Sequence, residues 1–111
     1  DAVFNLQRVS LLLAALRGGR ADLLAVAMED RLHQPYRRRL FPWMDRVTAA
    51  ARSAGAAGCV LSGAGPSLLA AVEGGAESVA KAMESALRES GVSGRAVALE
   101  VDPAGTVWEP A

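Results

Sequence analysis

Cysteine, histidine and aromatic residues are scarce in this sequence. Of 111 residues, one is cysteine, one is histidine and 5% are aromatic. The single cysteine, Cys59, excludes an intramolecular disulfide and favours a reducing compartment, which we expect to be the cytoplasm. One cysteine and one histidine also argue against a zinc site built from the usual ligand types.

Net charge and long apolar runs are missing as well. The 12 basic and 12 acidic residues cancel, so no global field attracts nucleic acid or an anionic membrane. The longest apolar stretch, residues 11–16, is too short to span a bilayer. We therefore expect neither nucleic acid nor a membrane as a partner.

Hydrophobic residues make up 51% of the sequence, and many of them are alanines. That fraction is too high for disorder, and the length fits one domain over residues 1–111. Periodicity and stop signals predict helices over residues 3–16, 22–32, 43–54 and 77–90. The first is apolar around most of its circumference, so we expect it to be covered by another part of a larger protein or by a second copy in a homodimer.

Short apolar runs in the second half of the chain predict strands. Residues 59–61 and 68–72 flank a glycine-rich turn, residues 96–101 alternate, and residues 106–108 follow a second turn. The element order is therefore ααα-ββ-α-ββ. We expect an α+β fold with an antiparallel four-stranded sheet and helices packed on one face.

The glycine-rich turn is the first candidate site. Glycines there permit positive φ and close approach, and successive amides in such a turn can form an anion-binding nest. A tight hairpin with no ligand explains the same spacing. The turn consists of Ser62, Gly63, Ala64, Gly65, Pro66 and Ser67.

A basic loop at Arg37, Arg38 and Arg39 is the second candidate. A planar guanidinium can grip a carboxylate or a phosphate with two parallel hydrogen bonds. The alternative is a solvated basic turn, which is the usual fate of consecutive charges.

Three further polar residues have two interpretations each. His33 could be a general base, but a helix-end histidine bonded to a backbone carbonyl is the simpler interpretation. Asn5 and Arg8 form a narrow polar stripe on the first helix. That stripe could face a ligand or a partner domain.

Three motifs in this order resemble the C-terminal half of homoserine kinases, a family of the GHMP kinase superfamily. They are FNLQR at residues 4–8, DRLHQPYR at residues 30–37 and LSGAGPS at residues 61–67. The glycine-rich motif is similar to the third motif of GHMP kinases in general, and the HQPYR segment narrows the resemblance to homoserine kinases. The resemblance implies a ferredoxin-like C-terminal domain.

The resemblance also implies an activity and a set of site residues. The family transfers the γ-phosphoryl group of ATP to the hydroxyl of L-homoserine, towards threonine. Arg37 matches the arginine that contacts the homoserine carboxylate, and Asn5 lies on the substrate side. The turn from Ser62 to Ser67 matches the segment that supports the phosphate-binding loop of the other domain.

Several parts that phosphoryl transfer requires are not found in these residues. The resemblance implies that the phosphate loop, the Mg²⁺-side acid and a second substrate arginine belong to an N-terminal nucleotide-binding domain. We therefore expect this chain to hold no catalytic residue or metal ligand and to be inactive in isolation. The alternatives are another GHMP small-molecule kinase, or a non-catalytic α+β module for ligand binding or regulation.

Overall fold

The computed structural model describes all 111 residues as an α+β fold. Its helices are α1 (Ala2–Arg17), α2 (Leu24–Ala27), α3 (Gln34–Arg37), α4 (Met44–Ser53) and α5 (Ala76–Glu89), with a 3₁₀ turn at Ala21–Leu23. Strands β1 (Gly58–Leu61) and β2 (Leu68–Ala71) form one antiparallel pair. No helix combines the length and hydrophobicity needed to cross a bilayer.

Local sequence signals placed most of these elements correctly. Helices α1, α4 and α5 each differ from the predicted ranges by one residue at either end. The hairpin pairs Gly58 with Ala71 and Leu61 with Leu68 across the predicted turn. Periodicity and glycine punctuation therefore suffice for elements whose hydrogen bonds are local.

The predicted helix over residues 22–32 is wrong in its second half. The 3₁₀ turn leads into α2, which ends at Ala27. The carboxylate of Asp30 accepts backbone hydrogen bonds from Leu32 and His33. Those N–H groups are the donors that a continuing helix would need, so the aspartate ends the helix by competing for them.

The sheet has two strands instead of the predicted four. Residues 92–111 have no regular secondary structure, although Val97, Leu99 and Val101 do alternate. Their side chains are more than half exposed. A strand requires a neighbouring strand for its ladder, and in this chain neither outer edge of the β1–β2 pair accepts one.

The small core lies between α4, α5 and the hairpin. Ala51, Ala56 and Val79 are buried together, and Met44 and Val47 are the largest fully buried side chains. Helix α4 packs against α5 and against both strands. This packing holds the glycine-rich turn at one end of the hairpin.

Helix α1 lies outside this core and buries only Ala15. Five of its other apolar side chains form an exposed stripe, the α1 stripe. Each member is more than half exposed: Val3, Leu6, Val9, Leu13 and Leu16. The polar stripe of α1 faces the loop that follows α2.

Candidate functional site

A single carboxylate organises the loop between α2 and α3. Asp30 accepts hydrogen bonds from the backbone N–H groups of Leu32 at 2.9 Å, His33 at 2.9 Å, and Gln34. The side-chain amide of Asn5, on α1, donates a fourth bond to it at 2.6 Å. Asp30 thus caps the start of the short helix α3 and ties that helix to α1.

The environment of Asp30 favours its ionised form. Burial alone would raise the pKa of this carboxyl group. The hydrogen bonds from Asn5 and from the backbone of Gln34, Leu32 and His33 outweigh burial and lower the pKa of Asp30 to about 2. The carboxylate is therefore charged, and its bonds are the stronger, charge-assisted kind.

Helix α1 makes further side-chain contacts with the same loop. The side-chain oxygen of Asn5 accepts a bond from the Arg31 backbone N–H at 3.0 Å. Arg8 donates two bonds to Glu29, at 3.1 and 3.2 Å. The Phe4 ring lies near both the Arg8 and the Arg31 guanidinium groups, 4.1 and 3.8 Å from its centroid. The polar stripe of α1 therefore contacts this chain's own loop.

The loop is also tied to the hairpin. The Gln34 side chain accepts a bond from the Leu61 backbone N–H at 3.1 Å and donates to the Met28 carbonyl at 3.4 Å. The His33 Nε2 lies 2.9 Å from the Gly63 carbonyl oxygen. Because a carbonyl only accepts, Nε2 is the protonated nitrogen in this contact. A helix-end histidine bonded to a backbone carbonyl is thus confirmed.

The glycine-rich turn is a tight hairpin with free amides. The Ser62 N–H donates to the Ser67 carbonyl at 2.8 Å, and the Gly65 N–H donates to the Ser62 carbonyl at 3.1 Å. The N–H groups of Gly63 and Ala64 have no acceptor within the chain. Both interpretations of the motif are therefore compatible with its geometry, since it closes a hairpin and also presents two unpaired donors.

The two glycines of the turn differ in their surroundings. Gly63 has φ +57° and Gly65 has φ +82°, both in the region that favours glycine. A Cβ at Gly65 would lie 2.7 Å from Phe41 Cε2 and 2.8 Å from Leu61 Cδ1. A Cβ at Gly63 would meet nothing within 4 Å. At Gly65 the missing side chain therefore allows both the positive φ and close packing with Phe41 and Leu61. At Gly63 it allows only the positive φ of the turn.

Arg37 differs from the two arginines that follow it. It is the last residue of α3 and is half-buried, and its guanidinium makes no hydrogen bond or ion pair in the chain. Its backbone N–H donates to the His33 carbonyl at 3.2 Å. Arg38 pairs with Asp45 at 3.0 Å on the surface, and Arg39 is exposed. The interpretation of Arg38 and Arg39 as surface charges is confirmed.

The residues of this chain do not fit a magnesium site. No group of three or more aspartate, glutamate, histidine or cysteine side chains comes together in the structure. The carboxylates nearest the loop, Glu29 and Asp30, are already engaged by Arg8, Asn5 and backbone donors. Both oxygens of Asp30 are occupied by N–H donors, and no further carboxylate joins Glu29 and Asp30 in a cluster that could hold a metal ion.

Asn5 and the glycine-rich turn belong to one connected unit, which also contains Asp30 and Gln34, two residues that the sequence did not single out for the site. Asn5 and the glycine-rich turn are linked through Asp30, His33 and Gln34. The signal was an aspartate four residues before a Gln-Pro pair, a pattern typical of a capped helix start. What this signal lacked was any sign of the long-range partners.

The family model described as GHMP kinases C terminal matches residues 12–89. The chain belongs to the GHMP kinase C-terminal family.

The similar proteins are homoserine kinases. The chain is 49% identical over 112 residues to the homoserine kinase of Parasynechococcus marenigrum, covering 100% of this chain and 36% of that protein. It is 49% identical over 109 residues to that of Persephonella marina, covering 98% of this chain and 36% of that protein. The chain therefore spans about a third of the length of the curated relatives it matches.

One solved structure is similar as well. The crystal structure of homoserine kinase from Cytophaga hutchinsonii superposes with a TM-score of 0.71 at 34% identity. The match covers 79% of this chain and 29% of that chain. The resemblance inferred from the three motifs is thus confirmed in sequence and in fold.

Proposed function

We propose that this chain is the C-terminal domain of a homoserine kinase. The whole protein would phosphorylate the hydroxyl of L-homoserine with ATP, giving O-phospho-L-homoserine in threonine biosynthesis. The proposal is supported by the 49% identity to homoserine kinases across nearly the whole chain. It places the protein among cytoplasmic phosphotransferases with an alcohol acceptor.

Arg37 is the observation that carries this proposal. Arg37 is half-buried, and its side chain makes no hydrogen bond or ion pair in the chain, so its guanidinium is available to an anion from a ligand or another domain. The α-carboxylate of homoserine matches the forked guanidinium with two parallel hydrogen bonds. We assign Arg37 to that carboxylate.

Asn5 is proposed as a second substrate contact. Its amide already donates one bond to Asp30 and accepts one from Arg31. A primary amide has two N–H donors and two acceptor lone pairs, so one of each is left for homoserine.

The glycine-rich turn is proposed to support the phosphate-binding loop of the N-terminal domain. The free N–H groups of Gly63 and Ala64 can donate to backbone carbonyls or to a phosphate oxygen. Ser62, Gly65, Pro66 and Ser67 shape the turn around them. No catalytic group is assigned to this chain, and the ATP and Mg²⁺ contacts are assigned mainly to the N-terminal nucleotide-binding domain. The isolated chain is therefore proposed to be inactive.

The α1 stripe is proposed to be covered by that N-terminal domain. The stripe is a continuous apolar helix face, and about two thirds of the length of the relatives lies outside this chain. A second copy in a homodimer is the alternative occupant. Light scattering of the isolated chain distinguishes the two, since a stripe used for dimerisation gives a dimer without the other domain.

The four-stranded, ferredoxin-like sheet in the order ααα-ββ-α-ββ is proposed for the whole protein. Val97, Leu99 and Val101 alternate and are exposed beside an apolar groove of about 620 Å³ between β2, α5 and residues 92–99. Settling of this segment onto the sheet would bury those side chains. Slow amide hydrogen exchange over residues 97–101 in the full-length protein would support the extra strand, and fast exchange there would oppose it.

The substrate assignment is tested by Arg37→Ala in the full-length protein. Loss of a charge-assisted pair is worth about 1.5–3 kcal/mol, so the homoserine KM should rise about ten- to a hundredfold. The KM for ATP should stay within about twofold, because Arg37 is assigned to the carboxylate alone. Arg39→Ala is the matched control, since it removes an exposed guanidinium from the same loop.

An unchanged homoserine KM in Arg37→Ala would show that the carboxylate is bound elsewhere. The class of reaction is tested separately, by assaying the full-length protein with ATP and either homoserine or mevalonate. Turnover with mevalonate alone would assign the chain to a different GHMP kinase. Absence of turnover with both would favour a non-catalytic module.

A further inference from the structure

We propose that Asp30 is a positioning residue for substrate recognition, acting through Arg37. This inference rests on the proposed function, because it assumes that Arg37 binds the substrate carboxylate. Asp30 itself has no assigned contact with substrate. Its role would be to hold α3, and so the Arg37 guanidinium, at a defined place relative to α1 and the glycine-rich turn.

Helix α3 is too short to fix its own geometry. The helix has four residues, Gln34–Arg37, with a proline in its first turn. A helix this short is not stable by itself, because ordering its first turn costs more free energy than the hydrogen bonds of that turn supply. Its geometry must come from outside, and Arg37 is its last residue.

The geometry of α3 comes from the hydrogen bonds that Asp30 accepts. Asp30 accepts the N–H groups of Leu32, His33 and Gln34, which lie immediately before and at the start of α3. These three bonds determine where α3 begins and in which direction it points. The Arg37 N–H bonds to the His33 carbonyl, which links the capped end directly to the arginine.

Asp30 is itself anchored to helix α1. Asn5 donates to Asp30 from α1 at 2.6 Å, across 25 positions of the chain. The Asn5 oxygen accepts from Arg31, the next residue in the loop. The carboxylate is therefore held against a sixteen-residue helix, which is a rigid reference for a four-residue one.

The side-chain chemistry also explains why the position requires a carboxylate. Four donors converge on two oxygen atoms, and an ionised carboxylate is the side chain that only accepts. Asparagine would bring an NH₂ group against at least one of these donors. Alanine would release all four, and α3 would lose its cap and the bond between that cap and Asn5 of α1.

The test is a double-mutant cycle in the full-length protein with Asp30→Ala, Arg37→Ala and the double variant. Asp30→Ala should raise the homoserine KM about tenfold, as expected for loss of a charge-assisted cap, and leave the ATP KM within about twofold. The double variant should have the same homoserine KM as Arg37→Ala alone, because Asp30 acts through Arg37. Asp30→Asn replaces Asp30→Ala in the cycle if the alanine variant does not fold.

A matched control separates positioning from general stability. Met44→Ala destabilises the buried core from α4, outside the loop between α2 and α3, and it should leave the homoserine KM unchanged. A Met44→Ala variant with the same rise in homoserine KM would overturn the inference, as would additive effects in the double variant. If Arg37→Ala leaves the homoserine KM unchanged, the proposed function of Arg37 fails. If Arg37→Ala raises the homoserine KM but Asp30→Ala leaves it unchanged, only the positioning role of Asp30 fails.

Discussion

The side-chain oxygen of Gln34 accepts a hydrogen bond from the backbone N–H of Leu61 at 3.1 Å. Leu61 is the last residue of β1 and is buried. Strand β1 has β2 on one side only, so this amide side chain occupies part of its open edge. The start of α3 and the beginning of the glycine-rich turn are thereby joined across 27 positions of the sequence.

Gln34→Ala should destabilise the chain through this joint. It would leave the Leu61 N–H without its side-chain acceptor in a buried place, and the free energy of unfolding should fall by about 1–3 kcal/mol. Urea unfolding measures the change. Arg39→Ala, on the exposed part of the same loop, should stay within about 0.5 kcal/mol. Equal effects of the two substitutions would show that the Gln34 contact contributes nothing to stability.

The stability of the chain should fall in acid because of Asp30. Its pKa is lowered to about 2 in the folded state, so its contribution is complete above the unfolded value of about 3.9 and is lost as pH falls towards the folded value. Because Asp30 is only partly buried, we expect solvent screening to reduce the contribution to about 1 kcal/mol.

Urea unfolding of the wild type and Asp30→Asn at about pH 6 and about pH 2.5 measures this contribution. The difference in unfolding free energy between the two proteins should shrink at the lower pH. Asp45→Asn is the control, because Asp45 belongs to an exposed pair with Arg38. A difference that stays constant with pH would contradict the assignment of this titration to Asp30.

Gly65→Ala should be more damaging than Gly63→Ala. Both residues have positive φ, which costs a non-glycine residue about 1–2 kcal/mol. At Gly65 the new methyl group would also collide with the Phe41 ring and with Leu61, which adds about 1–3 kcal/mol of overpacking. Thermal unfolding should give the lower Tm for Gly65→Ala. The reverse order would mean that Phe41 moves aside freely.

Cys59 should react slowly in the folded chain. Burial raises the pKa of its thiol, and the nearby Thr48 side chain opposes this only in part. Since the thiolate is the reactive species, alkylation at about pH 8 should be at least about tenfold slower than in the urea-unfolded chain. Equal rates in the two states would show that the strand opens readily around this residue.

The elements predicted best were those whose hydrogen bonds close within a few residues. Helices α1, α4 and α5 and the β1–β2 hairpin depend on periodicity and on glycine stops. The helix predicted over residues 22–32 failed because Asp30 takes N–H groups from the backbone. The strands predicted at residues 96–101 and 106–108 are not formed, since alternation marks a face but supplies no neighbouring strand.

In the candidate site, too, residues in local motifs were recognised from the sequence and a residue with a distant partner was not. Arg37 and the turn around Gly63 were recognised from local motifs, and their assigned roles remain predictions. In the sequence, Asp30 stood out only as the first residue of the DRLHQPYR motif. Its function as a cap depends on Asn5, 25 positions away, and nothing in the local pattern indicates that pairing.

The sequence by itself therefore determined the local elements and the family, because helix periodicity, turn glycines and short motifs are properties of neighbouring residues. The tertiary structure alone decided which side chains act together. Asn5 bonds to Asp30, Gln34 to Leu61 and His33 to Gly63, over separations of 25 to 30 residues. Such contacts form only when packing has brought distant segments together, so no local pattern of the chain encodes them visibly.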